Sequence, residues 1–258
     1  MPQRRDYINA ELPILGELEK VFDVASPMVV FDIGACEGED SIRYARLFKN
    51  AQVYAFEPLP KNIEIVKQNI ANYKADRVTL VPQAFSDSIG VATFHVSSGV
   101  PKGQPAGEDW DYGNKSSSLL PPDELLKRHD WLKFNEAIEV KTDTIQHFCA
   151  ERKIDAVDFI HMDVQGAELM VLNGAGPFME NIKAIWMEVG DASFYKNQPL
   201  RLDVERYMQE HGFWLYKSEI NPVDKAGDQF YLNSKYYPRP GMLKRAMNSL
   251  KGLLKGGK

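Results

Sequence analysis

The chain has 258 residues, 44% of them hydrophobic, a formal net charge of −5 and two cysteines, Cys36 and Cys149. It is long enough to bury one sizeable core, and two thiols exclude a disulfide framework and fit a reducing cytoplasm. No run of 18 apolar residues is present to cross a bilayer, and the polar opening Met1 to Asp6 raises no expectation of a signal peptide.

From Ala10 to Val24, Leu12, Leu15, Leu18 and Phe22 recur at helical spacing. This predicts one helix packed on the sheet, within an N-terminal extension over 1–27. Strands at about 28–33, 52–57 and 78–82 alternate with helices at about 38–49 and 60–73, the pattern of a doubly wound α/β domain extending to 234. Val91–Val96 reads as an extra strand. The stretch 97–122 is a long Gly-, Pro- and Ser-rich loop carrying Trp110 and Tyr112 among Glu108, Asp109 and Asp111. Strand character returns at Ala137–Lys141, followed by a helix over about 142–152 and a strand, Val157–Asp163. A helix then ends near Gly174, and Ala184–Val189 is the next strand. A helix at about 200–211 and extended pieces at 213–217 and 228–232 close the sheet as an antiparallel hairpin. No internal repeat is visible.

The chemistry concentrates where strands end. Asp32-x-Gly34-x-x-x-Gly38 reads as a strand running into a glycine turn and a helix, with Cys36 a spacer in the turn. Glu57, 23 residues beyond Gly34, ends the next strand and is placed to accept ribose hydroxyls. A dinucleotide fingerprint would place glycine where Asp32 stands, and no Gly-Lys-Ser/Thr follows to make a phosphate loop. A carboxylate there repels phosphate and suits an ammonium or a sulfonium, as on S-adenosylmethionine.

At this point the chain resembles a known family. Asp32-Ile-Gly-Ala-x-x-Gly38, Phe56-Glu-Pro58, Gln83-Ala-Phe-Ser-Asp87, Ser116-Ser-Ser-Leu119, Thr142-Asp-Thr-Ile145, Met162-Asp-Val-Gln-Gly-Ala-Glu168 and Glu188 look like the ordered motifs of FkbM-family methyltransferases, over roughly 28–190. The resemblance implies a class I, Rossmann-like fold with strand order 3-2-1-4-5-7-6. It also implies S-adenosylmethionine as donor and methyl transfer to oxygen, frequently a sugar hydroxyl. One motif departs: the family's Lys-x-Asp-x-Glu-Gly is here His161-Met-Asp163-Val-Gln165-Gly166. A cation becomes an imidazole and a carboxylate becomes an amide, so no second acid is carried over to Gln165.

By resemblance and geometry, Gly34, Ala35 and Gly38 line the methionine part of the donor, and Asp32 faces its ammonium. Asp40 and Ser41 are candidates for its carboxylate region. Glu57, with Pro58, takes the ribose, and Gln83 and Ala84 are placed at the adenine, with a plain turn the competing reading of Gln83. A sugar hydroxyl must lose its proton near the transition state. Asp163 is the expected base or acceptor orienter, with Glu188 on the neighbouring strand and His161 behind, or else a core histidine. Alternatively, Asp163 and Glu188 hold magnesium through oxygen ligands. Trp110 and Tyr112 are the candidate lid over a sugar acceptor, or aromatics tucked onto the body.

Two other function classes stay open: a non-catalytic nucleoside-binding module and a nicotinamide-dependent oxidoreductase. Residues 235–258 hold seven basic side chains and no acid, leaving 24 basic against 36 acidic groups elsewhere, a poor platform for nucleic acid. Within this tail, Met242, Leu243, Ala246, Met247, Leu250, Leu253 and Leu254 share one helical face. That face either lies in an anionic membrane surface, bringing a cytoplasmic enzyme to lipid-linked glycan precursors, or packs on protein.

Overall fold

A computed structural model describes residues 4–103 and 112–240; Trp110 and the tail from residue 241 lie outside the described residues. The N-terminal segment forms two helices, α1 (Arg4–Asn9) and α2 (Leu15–Val21). One continuous helix over Ala10–Val24 was expected, and Pro13 is the reason it does not form. Proline lacks an N–H and disfavours helical geometry at the residue before it, Leu12. The apolar spacing is still used, because Leu12, Leu18 and Phe22 are buried in a common core.

The central unit follows as β1 (Met28–Ile33), α3 (Glu39–Leu47), β2 (Ala51–Phe56), α4 (Pro60–Asn72) and β3 (Val78–Val81). A side unit is built from β4 (Ala84–Phe85), β5 (Gly90–Ser98), α5 (Leu125–Arg128) and β6 (Lys133–Asp143). The chain then returns through α6 (Ile145–Arg152), β7 (Phe159–Met162), α7 (Glu168–Asn173), β8 (Ala184–Gly190), α8 (Arg201–Glu210), β9 (Phe213–Asn221) and β10 (Ala226–Asn233). The main sheet has the order β3-β2-β1-β7-β8-β10-β9, with β10 alone antiparallel to its neighbours. Counting only its own strands in chain order, this is the expected 3-2-1-4-5-7-6.

Residues alternate across the sheet with a period of two, and each face is covered by helices. In β1, Phe31 and Ile33 join one core with Phe148 of α6, Val171 of α7 and Met208 of α8. Met28 and Val30 face a second core with Ile8, Leu18, Ile42 and Phe159. Strand order reverses between β1 and β7, and a crevice opens at their carboxyl ends, where open α/β sheets bind ligands.

Strand character at 91–96 and 137–141 extends to β5 and β6, which pair with β4 in a separate three-stranded sheet, β4-β6-β5. The loop expected over 97–122 is partly structured. Gly113–Ser116 forms a 3-10 turn stitched to β5, with the Ser97 N–H donating to Ser117 Oγ (3.0 Å) and the Ser116 N–H to Ser97 Oγ (3.1 Å).

Gly34 is where β1 and β7 come closest. A Cβ built there would lie 2.0 Å from the Asp163 carbonyl oxygen, and the residue has φ +85°. Gly34→Ala is therefore expected to destabilise the fold by at least about 2 kcal/mol in chemical denaturation. Unchanged stability would mean the two chains stand farther apart than described.

Candidate functional site

The turn after β1 is closed by backbone bonds. The N–H groups of Gly34 and Ala35 both donate to the Phe56 carbonyl at 3.0 Å, tying the tip of β1 to that of β2. Above this tie lies a cavity of ≈ 210 Å³ whose wall includes Asp32, Gly34, Ala35, Asp40, Glu57 and Pro58. Ala84, His161 and Asp163 complete the predicted residues that reach it. Gly38, Ser41 and Gln83 do not. Gly38 begins α3 in a left-handed conformation, and a Cβ there would press on Val66 at 3.0 Å, so it serves helix packing. Ser41 is buried and gives its hydroxyl to Asp32 Oδ2 at 2.5 Å. Gln83 turns its amide to Asp143 Oδ2 at 3.1 Å, at the edge of the side sheet.

Glu57 is buried, with Oε2 accepting the Cys36 N–H (2.9 Å) and Oε1 the Leu59 N–H (2.7 Å). Burial outweighs those bonds and pushes its carboxyl up to about 8. Asp32 has 1% of its surface exposed, and both oxygens are engaged, Oδ2 by Ser41 and Oδ1 by His161 Nδ1 at 2.9 Å. It acts on a ligand through its charge and through the residues it holds. His161 stacks on Trp186 with ring centroids 4.8 Å apart. Burial alone would discharge the imidazole, but the bond to Asp32 and the charges of Asp32, Asp40 and Asp163 raise it to about 9. At neutral pH it is an imidazolium, hence a counter-ion and not a proton acceptor. The Cys36 thiol, pushed well above its ordinary value by burial, is no nucleophile here.

The 3-10 turn itself roofs the cavity through polar contacts. Asn114 Nδ2 donates to Glu37 Oε1 (3.0 Å) and Asn62 Oδ1 (2.9 Å), and Lys115 Nζ reaches Glu39 Oε1 (3.2 Å). Burial works against the Lys115 charge, and the surrounding acids, Glu39 and Glu37 among them, more than reverse that.

Asp163, Gln165 and Lys115 also line a second, wider cavity of ≈ 770 Å³, which includes Glu188. Gln165 is the partition. Its amide Nε2 donates to Asp163 Oδ1 (2.6 Å) and to Glu188 Oε2 (2.9 Å), while its Oε1 lies 2.8 Å from the Tyr195 hydroxyl. Burial raises both carboxyls, and for Glu188 the charge of Asp163 adds to the rise. The far wall carries Trp131, Phe194, Arg128, Gln198 and Asp224. Tyr112 is half-buried and lines neither cavity.

The methyltransferase FkbM domain matches residues 32–215 of this chain. The chain belongs to the FkbM methyltransferase family. Similar proteins include the 2-O-methyltransferase NoeI of Sinorhizobium fredii, 33% identical over 174 residues that cover 67% of this chain and 68% of that one. Methyltransferase sdnD of Sordaria araneosa is 24% identical over 236 residues, 81% of this chain and 82% of its own. Among solved structures, a putative rRNA-methylase from Clostridium thermocellum overlays with TM-score 0.48 at 11% identity, covering 86% of this chain and 97% of that one. That overlay is too loose to say anything of a substrate. The protein is thus an S-adenosylmethionine-dependent methyl-transfer enzyme, which sets aside the oxidoreductase and the non-catalytic alternatives.

The first cavity of this FkbM methyltransferase fits that donor. Ala84, Phe85, Phe94 and Leu119 offer an apolar slot, Glu57 a carboxylate, and Asp40 and Asp163 an acidic end. The same complementarity runs along adenine, ribose and sulfonium with ammonium. A divalent cation fits poorly. Gln165 Nε2 places N–H donors between Asp163 and Glu188, where a cation would need oxygen, and no group of three acidic, His or Cys ligands occurs among the described residues.

Sequence reasoning missed Lys115, Tyr195, Trp131 and Phe194, and read Gln165 only as a lost acid. Lys115 adjoins the Ser116-Ser-Ser-Leu119 motif, a signal that was available; nothing marks the other three. Above about pH 8, where Glu57 is ionised, Glu57→Ala should weaken S-adenosylhomocysteine binding by about 1.5–3 kcal/mol in calorimetry, the range for a hydrogen bond to a charged group. Unchanged affinity removes Glu57 from the ribose.

The buried groups also set a pH dependence. Burial raises Glu57 to about 8 and Glu168 to about 7 from an ordinary 4.5, and His161 stands at about 9 against 6.5. Each binds its proton more tightly in the folded state, so its contribution is full below the ordinary value and lost as pH rises through the folded one. Stability should therefore fall between about pH 5 and about pH 9. Glu168→Gln keeps an acceptor for the Gly166 N–H (3.1 Å) and should flatten the lower part of that slope in urea denaturation. A slope of opposite sign, or one indifferent to the substitution, contradicts this.

Proposed function

We propose that this enzyme methylates a hydroxyl oxygen of a sugar, within a glycan or glycoconjugate. The observation that carries the reading is the meeting of two cavities at one carboxylate: Asp163 lines both the donor cleft and the wider cavity beyond Gln165. Aromatic faces at Trp131 and Phe194 suit the C–H faces of a sugar ring, and Arg128, Gln198 and Asp224 offer partners for its hydroxyls. The 2-O-methyltransferase among the relatives supports oxygen as the acceptor atom.

Bound S-adenosylmethionine supplies an electrophilic methyl group on a good leaving sulfur, so the protein's task is alignment and removal of one proton. Held between the apolar slot, Glu57 and Asp40, the donor would give its methyl group to the acceptor oxygen as its carbon–sulfur bond breaks and would leave as S-adenosylhomocysteine. Asp163 takes the hydroxyl proton. Burial makes this carboxylate more basic, while the Gln165 amide favours its ionised form and holds one oxygen in place. Glu188, on the other hydrogen of the same amide, faces the acceptor side. In this reading the reaction takes place in the reducing cytoplasm, and the basic segment after residue 241 brings the enzyme to lipid-linked acceptors at an anionic membrane surface.

The test is mass spectrometry of candidate glycans incubated with enzyme and isotopically labelled donor. Label on a sugar oxygen is the expected result, and label confined to non-carbohydrate acceptors overturns the reading. Asp163→Asn should keep donor affinity and lower turnover by about 100-fold or more. If instead chelator abolishes wild-type activity and magnesium restores it, Asp163 is a metal ligand and not the base.

A further inference from the structure

The family match begins at residue 32, yet one wall of the donor cavity comes from α1, well upstream. Tyr7 lines that cavity. Its placement is enforced from both sides. Ile8 is 1% exposed in a core shared with Leu12, Ile42 and Ala45. Arg46 Nη1 donates to the Ile8 carbonyl (2.9 Å) and to Asn9 Oδ1 (3.1 Å), and the Arg43 guanidinium donates to the Glu11 carbonyl. Arg43 also lies 4.7 Å from the Tyr7 ring centroid, so the ring is held over a cation.

The Tyr7 hydroxyl donates to Asp40 Oδ2 at 3.2 Å, while Asp40 Oδ1 takes Arg43 Nη1 at 2.8 Å. Arg43 and Tyr7 thereby fix one carboxylate in a single orientation at the mouth of α3. Burial, with the nearby Asp40 charge, moves the phenol further toward its neutral form, so it remains a donor across the working pH range. The cavity is polarised along its length. Ala84, Phe85 and Phe94 lie beyond the β3 side, Glu57 caps β2, and Asp40, His161 and Asp163 gather with Tyr7 beyond β1.

We propose that Tyr7 is a donor-binding residue that closes the charged end of this cavity and, by holding Asp40, makes the site selective for nucleosides bearing a zwitterionic amino-acid chain. The proposal rests on the donor orientation given above, with adenine in the apolar slot. A nucleoside without the amino-acid chain fills the slot and the Glu57 position but never reaches Tyr7.

Two ligands therefore separate the roles: S-adenosylhomocysteine, and 5′-methylthioadenosine, which lacks the amino-acid portion. In calorimetry, Tyr7→Ala should weaken S-adenosylhomocysteine by about tenfold or more, and Tyr7→Phe should lose less in the same direction. Affinity for 5′-methylthioadenosine should stay within about twofold in both variants, which also reports that the cavity is still folded. Unchanged S-adenosylhomocysteine affinity in Tyr7→Ala overturns the proposal, and equal weakening of both ligands reduces Tyr7 to a structural role. A wild-type protein that does not prefer S-adenosylhomocysteine overturns the donor orientation itself, and the proposal with it.

Discussion

The molecule depends on the close approach of β1 and β7. The Asp163 N–H donates to the Ile33 carbonyl at 3.0 Å, and the Asp163 carbonyl sits where any Cβ on residue 34 would be. The parallel register pairs Asp32 with His161 and Ile33 with Met162. That register decides three things at once. It sets the buried imidazolium against its carboxylate, it opens the crevice at the reversal of strand order, and it delivers Asp163 to the crevice edge. A glycine in the first motif is thus required by a neighbouring strand as much as by any ligand.

Around this seam the protein buries several acidic groups and gives them hydrogen-bond partners. Asp32 is matched by Ser41 and His161, Glu57 by two backbone N–H groups, and Glu168 by the Gly166 N–H. Those bonds offset only part of the cost of burial, since Glu57 and Glu168 still hold their protons more tightly than an exposed carboxyl does. Gln165 performs this service for two acids together, since an amide has one hydrogen for each. Replacing a carboxylate by an amide at this position removes a third negative charge and supplies donors in its place. The chain thus has, where a second acid would stand, an amide that holds Asp163 Oδ1 in place.

The side unit and the N-terminal helices complete the site from opposite directions. Lys115 and Asn114 descend from the turn stitched to β5 and dock on Glu39, Glu37 and Asn62, while α1 brings Tyr7 to Asp40. Both segments are pinned by side chains of α3 and the turn that precedes it. That region accordingly acts as the organiser of the donor end, through Glu37, Glu39, Asp40 and Arg43. The second cavity is assembled differently, from α5, the chain after β8 and the β9–β10 turn, with Trp131 and Phe194 on its wall.

The family resemblance implied the order of the sheet, while strand periodicity and the spacing of tip residues determined the strands themselves and the placement of Asp32, Glu57 and Asp163 at the cavity. These are properties of short segments, because alternation decides which face a side chain takes and strand length decides which residue ends at the edge. The break at Pro13 was also local and legible, but it was outweighed by the apolar spacing around it. What only the tertiary structure decided is which polar atoms meet. Ser41, Gln83 and Gly38 carry motif positions yet are consumed by Asp32, Asp143 and Val66, since side chains bond to the partner that packing brings within about 3 Å. Tyr7, Tyr195, Trp131 and Phe194 belong to no motif, and reach the cavities because their backbones are held by cores formed far away in sequence. Long-range packing alone sets such meetings, and no local pattern records them.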